Sequence, residues 1–549
     1  MLEGPRAVQR RAVGEWVLHT EKVYDNPFAD VIVEGAFEAP SGQVFTVPGF
    51  YDGENTWRVR FNPAEAGAYS FRVRSRPEDP GLTGDGDFEV EDRETSGYLK
   101  ATPDRGWGFC YESGEPVFLL GDTTYNLFGM AHCGEDVAGF LARRAEQAFN
   151  LFRVRLPVSP FHPPEGYSVW QEKPTWPWGG SEQKPLFDRF NLAYFHSVDG
   201  VVRKAEALGL GFEMIMEAWG FEAPFDRREV FTPEWEQFWM RYLVARYDAF
   251  NCVYFWTLMN EYEYYPDGDW RYNPLADRWA MRVGRWMKRI APHGHIVSVH
   301  NGPREPAFVE RFAQDPGAID AIMFQCWGTR DEEKGWLAAG IDEQIAKSLR
   351  GWPGSAVFAE WGYERNPRFP LVFPGHRYCD EEHTRRGAWR GAFSGLGIIH
   401  GFENSWGPFA DLEHDQPGLE YLFQVHRFLT EIVSFDQLAP APDLILCVST
   451  RCGHTEYQID RSGGYALGEK PLALASSEQN VIAVYLPVGG EVSLRLSRSL
   501  DDYEMEWFNP CNGELTEARG DARSASFIAP GATRNGHPQD WVLLLRAGE

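Results

Sequence analysis

Between residues 94 and 434 short apolar runs alternate with longer segments of helical period, and this alternation constrains the fold more than any other feature. The candidate strands are 117–121, 151–156, 211–216, 253–259, 296–300, 321–326, 356–360 and 397–402. Runs this short and this apolar read as strands buried on both faces, which is how parallel strands covered by helices look. The segment from Pro233 to Tyr247 places Trp235, Phe238, Trp239, Tyr242 and Leu243 on one stripe behind a Thr232-Pro233 start, a helix signature. Eight strands, each followed by a helix, predict an α/β fold built on a (β/α)8 TIM barrel. A doubly wound sheet is the alternative, disfavoured by the absence of a Gly-rich phosphate loop.

The flanks read differently. Trp57, Val59 and Phe61 alternate with arginines, as do Tyr69, Phe71 and Val73, with the turn-rich 62–67 between them. This pattern predicts a hairpin inside an N-terminal β-sandwich over 1–93. Past Leu438-Ala439-Pro440-Ala441-Pro442 the period-two pattern returns in Val481, Ala483 and Tyr485, in Val492, Leu494 and Leu496, and in Trp541, Leu543 and Leu545. It predicts a C-terminal β-sandwich over 435–549, with the barrel occupying 94–434.

Charge narrows the partners. The chain carries 53 Lys and Arg against 80 Asp and Glu, a net −27. Nucleic acid requires a basic footprint, and anionic membranes favour one, so neither is expected as a partner. No apolar run reaches the length of a membrane span. The start Met1-Leu2-Glu3-Gly4-Pro5 lacks a secretion signal, so a cytoplasmic location is expected unless a signal has been removed. Of the eight cysteines only Cys447 and Cys452 are candidates for a bridge, and none has zinc spacing. His132, His162, His196 and His300 form no close pair, so no metal and no cofactor are expected.

In such barrels the chemistry sits at the C-terminal ends of the strands. Strand four ends in Asn260-Glu261 and strand seven in Glu360-Trp361. Two carboxyls so placed match the needs of glycoside hydrolysis, in which one protonates the leaving oxygen and the other attacks or activates water. The remaining ends carry Asp122, Arg153 and Arg155, Trp219, His300, Trp327, and Glu403 with Trp406. Asp122 and His300 are candidate contacts to a sugar hydroxyl. Glu261 acts as the acid only if burial keeps it protonated, and the neighbouring Tyr254 and Trp256 are expected to supply that burial. Glu360 needs a cation, which Arg155 or Arg153 offers. Glu217, Glu263, Glu364 and Glu403 compete as carboxyls and are expected to bind hydroxyls or form loop ion pairs. Trp170, Trp176 and Trp178, in a long loop after strand two, either wall the cleft or pack on one another.

The Asn-Glu pair on strand four and the Glu on strand seven resemble clan A glycoside hydrolases. Phe149-Asn150 followed by Arg155-Leu156-Pro157-Val158 is similar to a strand-two motif of family 5 in that clan. The resemblance implies a retaining mechanism with Glu261 as acid/base and Glu360 as nucleophile. It also implies Asn260 on the substrate 2-hydroxyl, Arg155 holding the nucleophile and Trp406 as a stacking platform. Phe118-Leu119-Leu120-Gly121-Asp122-Thr123 with Ala148-Phe149-Asn150 resembles the barrel family that includes apiosidases. That family carries an Asp in a Gly-rich context on strand four, where this chain has Asn260-Glu261. The stretch 47–53 with Arg60-Phe61-Asn62-Pro63 resembles the sandwich preceding such barrels, and 506–514 with Asp540-Trp541-Val542-Leu543 resembles a collagen-binding-type sandwich. The implied partner is a β-linked plant or microbial oligosaccharide or glycoside; the missing signal and the long loop after strand two, rather than the resemblance, suggest attack from the chain end. Internal attack on a β-glycan and non-catalytic sugar binding on an inactive barrel are the alternatives. The sugar and the oligomeric state are left open.

Overall fold

The computed structural model describes the chain except residues 1, 105–106, 158–174, 221, 267, 269–270, 303–307, 327–340, 366–379, 403–411, 450–469, 532, 535–536 and 549, and gives only the backbone of 341–344, 447–449, 533–534 and 537. Eight parallel strands close into a barrel: β1 (Leu120–Thr123), β2 (Leu151–Arg155), β3 (Gly211–Glu217), β4 (Val253–Met259), β5 (Ile296–His300), β6 (Ala321–Gln325), β7 (Ser355–Glu360) and β8 (Gly397–Phe402). Closure is made by β8 pairing with β1, with Gly121 opposite Ile399. The strands lie where the apolar runs predict them, except that β1 starts three residues later and ends two residues later than its run.

Period-two alternation sorts their side chains. Leu151, Phe255, Met323, Val357 and Ile399 fill the lower lumen, floored by Leu99 and Phe109. Alternate residues such as Leu120, Phe152, Phe212, Trp256 and Phe358 point outward into the helix layer. Three helices matter below: α1 (Val137–Glu146), α2 (Pro233–Tyr247) and α3 (Glu381–Phe393). α2 has Pro at its first turn after Thr232 and buries Trp239, Tyr242 and Leu243, as its stripe predicts.

The N-terminal strands form a four-stranded and a five-stranded sheet around a core of Trp16, Phe37, Phe61, Phe71 and Phe88. The predicted hairpin is corrected here. Thr56–Phe61 lies in the first sheet and Gly67–Arg76 in the second, so 62–66 crosses between layers. A sandwich corner and a hairpin carry the same alternation. The difference comes from tertiary anchoring: the Asn62 side chain donates to Ala249 O of the barrel at 2.8 Å.

The C-terminal strands build a six-stranded and a four-stranded sheet. One face of the larger sheet (Ile482, Val484, Leu543, Leu545) packs on the smaller. The other face (Ala483, Tyr485, Val542, Leu544) joins the barrel's own core. Beside it Arg385 of α3 pairs with buried Asp540 at 2.9 Å. Cys252 and Cys326 are buried free thiols, whereas a Cys447–Cys452 bridge lies outside the described residues. Among the described residues no helix is long and apolar enough to cross a membrane, and no cluster of His, Cys, Asp and Glu is placed to hold a metal ion.

Candidate active site

β4 ends in a turn that puts Glu261 in the left-handed region, φ +51°. A non-glycine residue held there costs about 1 kcal/mol or more and persists only where its surroundings enforce it. They do so here. Gln325, at the end of β6, donates from Nε2 to Glu261 Oε1 at 2.7 Å and to Asn301 O at 3.0 Å. Asn301 Oδ1 in turn accepts from the Gln325 backbone N–H at 3.0 Å. Glu261 is buried, and that burial, reinforced by the negative charge of Glu360, pushes its carboxyl up to about 8. It is therefore an acid at neutral pH.

The Glu360 carboxyl lies in a different setting. Arg153 Nη1 donates to its Oε2 at 3.0 Å, and Tyr125 OH lies 3.5 Å from the same oxygen. Arg153 has no exposure, and its Nη2 donates to Asn260 Oδ1. One guanidinium thus ties the end of β7 to the end of β4. The Asn260 amide is oriented by that bond, with its NH2 as the donating end. Tyr125 is raised far above an ordinary phenol by burial and stays a donor.

Arg155 sits one layer higher on the same face of β2. It pairs with Glu222 and stacks over Trp219 at 4.6 Å. The cation on Glu360 is therefore Arg153, not Arg155. Trp219 meets Tyr125 edge-on at 5.4 Å, which keeps it beside the carboxyls. His300 is wholly buried in the lumen, and burial with the nearby Arg153 charge holds its pKa well below the usual imidazole value, so it is neutral.

Two candidates face the wrong way. Asp122 lies on the outward side of β1, bonded to Arg144 of α1 at 2.9 Å. Trp361 is buried between Phe358 and His400, at ring separations of 4.9 and 4.6 Å, against α3. A Cβ on Gly387 of that helix would overlap the indole, so the contact is tight. Both residues stand at strand ends but on the helix-facing side of the wall. Tyr254 and Trp256 do not bury Glu261 either. Tyr254 bonds Tyr111 on the barrel floor at 2.8 Å, and Trp256 bonds Asp248 in the helix layer at 3.0 Å.

The competing carboxyls are engaged elsewhere: Glu217 with Arg228 at 2.6 Å, Glu263 with Arg311 at 2.7 Å, and Glu364 with Thr384 Oγ1 at 2.7 Å. Burial raises all three as well, to about 8, 7 and 8. A raised carboxyl alone therefore does not single out the acid, whereas position over the lumen does. Trp178 packs inside an aromatic cluster with Phe187, Phe231 and Trp239, so it walls no cleft. Trp170, His162, Trp327, Glu403 and Trp406 lie outside the described residues. Gln325 is one of the strand-six end residues, whereas Tyr125 and Tyr363, whose hydroxyls lie 3.4 Å apart, are not singled out by the sequence. Their only signal was proximity to a strand end.

Residues 104–418 match the model of the family described as "Apiosidase-like, catalytic domain", more than half of the chain. The chain belongs to the apiosidase-like family. That membership makes it an enzyme of the glycosidase type. The match includes Glu261, Glu360 and Arg153. Residues 8–76 match a domain of unknown function, and 468–546 one described as "Putative collagen-binding domain of a collagenase". No curated protein matches the chain. Among solved structures, a "putative glycoside hydrolase" from Bacteroides vulgatus is 17% identical, covers 99% of this chain and 100% of its own, and gives a TM-score of 0.68. A glycoside hydrolase family 5 protein from the same organism is 16% identical over 82% of this chain and 93% of its own, with a TM-score of 0.59. At these identities the likeness is one of fold. It places the apiosidase-like barrel and both flanking sandwiches in one shared architecture.

Proposed function

We infer that the protein is a retaining glycoside hydrolase that cleaves β-linked plant or microbial oligosaccharides from the chain end. The observation that carries this reading is the unlike environment of two lumen carboxyls at one barrel mouth: Glu261 uncharged near neutral pH, Glu360 paired with a buried guanidinium. In the first step the Glu360 carboxylate attacks the anomeric carbon. The bond to the leaving oxygen breaks, and that oxygen takes the Glu261 proton. In the second step Glu261, now a carboxylate, removes a proton from water. The water oxygen replaces Glu360 on the anomeric carbon, and Glu261 ends protonated again. Asn260 donates to the 2-hydroxyl, and Trp219 with Arg155 lines the sugar.

The test is a panel of dinitrophenyl β-glycosides, an apioside included, together with plant oligosaccharides and product mapping. Turnover with the β-anomer formed first, and a 2-deoxy-2-fluoro glycoside attached to Glu360 in the peptide mass spectrum, are expected. An inverted first product, or a label on another carboxyl, overturns the retaining assignment. Products released from the middle of a polymer overturn the chain-end mode.

A further inference from the structure

The lumens of such barrels are filled by layers dominated by branched apolar side chains. In this one the layer directly beneath the site carboxyls is polar. Arg153, Glu213, Thr257, Ser298 and His300 have no exposure and rest on the apolar lower lumen. Within that layer one cation meets two acids. Arg153 Nη1 lies 3.0 Å from Glu360 Oε2 above it, and Arg153 Nε lies 3.5 Å from Glu213 Oε2 beside it. Glu213 stands opposite Arg153 in the register of β2 and β3. Its other oxygen accepts from Thr257 Oγ1 at 2.9 Å, and that hydroxyl also meets Ser298 Oγ at 2.6 Å.

A second buried acid beside a cation already neutralised by Glu360 is unfavourable in the resting protein. Burial and the Glu360 charge both raise the Glu213 carboxyl, while Arg153 and Thr257 oppose them. The arrangement makes sense in the covalent state. When Glu360 becomes an ester its charge is gone, and Arg153 is wholly buried. A buried charge without a counter-ion is strongly destabilising. Esterification also removes the like charge that opposes the ionised form of Glu213. We propose that Glu213 is a positioning residue that shares Arg153 with Glu360 in the free enzyme and serves as its counter-ion while Glu360 carries the glycosyl group. This rests on Glu360 being the nucleophile. Without Glu213 the guanidinium binds Glu360 alone, which makes it a poorer nucleophile and a better leaving group. The two half-reactions should therefore move apart.

The experiment uses the full chain and the 2-deoxy-2-fluoro glycoside of whichever sugar the wild type accepts. Inactivation reports formation of the glycosyl-enzyme, and reactivation reports its hydrolysis. Glu213→Gln is expected to slow inactivation about tenfold or more while reactivation is unchanged or faster. Glu213→Asp, which keeps the charge, restores most of the ratio. Equal slowing of both steps, as loosened packing would give, overturns the proposal, and so does no change in either. Should Glu213→Gln fail to fold by circular dichroism, Thr257→Val, which removes the hydroxyl holding Glu213, reads the same ratio. A wild-type label on a residue other than Glu360 overturns the nucleophile reading and this one together. A label on Glu360 with an unmoved ratio in the variants overturns this one alone.

Discussion

The end of β4 and the end of β7 carry the same side chain in opposite electrostatic settings. At the end of β4 Glu261 is buried against an amide donor, Gln325, and retains its proton to about pH 8. At the end of β7 Glu360 shares its oxygen with a guanidinium and a phenol. A buried carboxyl beside a neutral donor is kept as an acid, and one beside a cation is favoured as an anion. Environment, rather than residue type, assigns the two roles.

The sharpest way to break this comparison is to remove each carboxyl and supply an anion. Glu360→Ala is expected to lose roughly 10⁴-fold or more in kcat, as nucleophile deletions do. Azide should restore turnover and give a glycosyl azide of inverted configuration, because azide then occupies the face Glu360 vacated. Glu261→Ala is expected to lose about 10²–10⁴-fold on substrates with poor leaving groups, and much less in the first step on dinitrophenyl glycosides. Its azide product should keep the substrate's configuration. Nuclear magnetic resonance of the two azides decides the assignment, and exchanged configurations would reverse it.

A smaller effect sharpens the acid half. With Glu261 raised to about 8, kcat/KM should fall above that pH as the proton is lost. The Gln325 amide favours the ionised form of Glu261. Gln325→Leu should therefore move the alkaline limb upward. A limb that stays in place, or moves down, would show that Gln325 does not set the Glu261 proton.

How much of this was legible beforehand follows from what period and position encode. Glu261 and Glu360 were visible because each ends an apolar run, and a strand end over a lumen is where such barrels place chemistry. Asp122 and Trp361 also end strands, yet they face the helices. Counting the alternation from Val357 would put Trp361 inside, but the register of β6 and β7 shifts between the Phe324–Phe358 and Gln325–Glu360 pairs, which exchanges the sides of Glu360 and Trp361, and β1 lies displaced from its apolar run. Arg153 and Arg155 share a face, so the alternation could not choose between them. Depth did: about 7 Å along the strand separates a lumen cation from one at the rim. Glu213 was invisible for a related reason. A lone acid inside an apolar run reads as an exception, and nothing local reveals an arginine across the ladder. The crossing at 62–66 carries the local pattern of a hairpin because pairing partners are a long-range property.

The last comparison concerns stability, where the two carboxyls should differ in sign. Glu261 has a folded-state pKa raised from 4.5 to about 8, so folding favours its protonated form. Its contribution is fully present below about pH 4.5 and is lost as pH rises to about 8. Above that window wild type holds a buried charge that Glu261→Gln does not, and the amide oxygen of the substituted side chain would still accept from Gln325. The variant should then melt higher than wild type at pH 9, by on the order of 1–3 kcal/mol, with the gap closing toward pH 5. Glu360→Gln removes one partner of a buried ion pair and leaves Arg153 leaning on Glu213, so it should melt lower, by up to about 3 kcal/mol. Thermal melts of both variants at two pH values suffice. Two shifts of the same sign would mean that the environments at the two strand ends are alike, and the separate roles assigned to Glu261 and Glu360 would lose their physical basis.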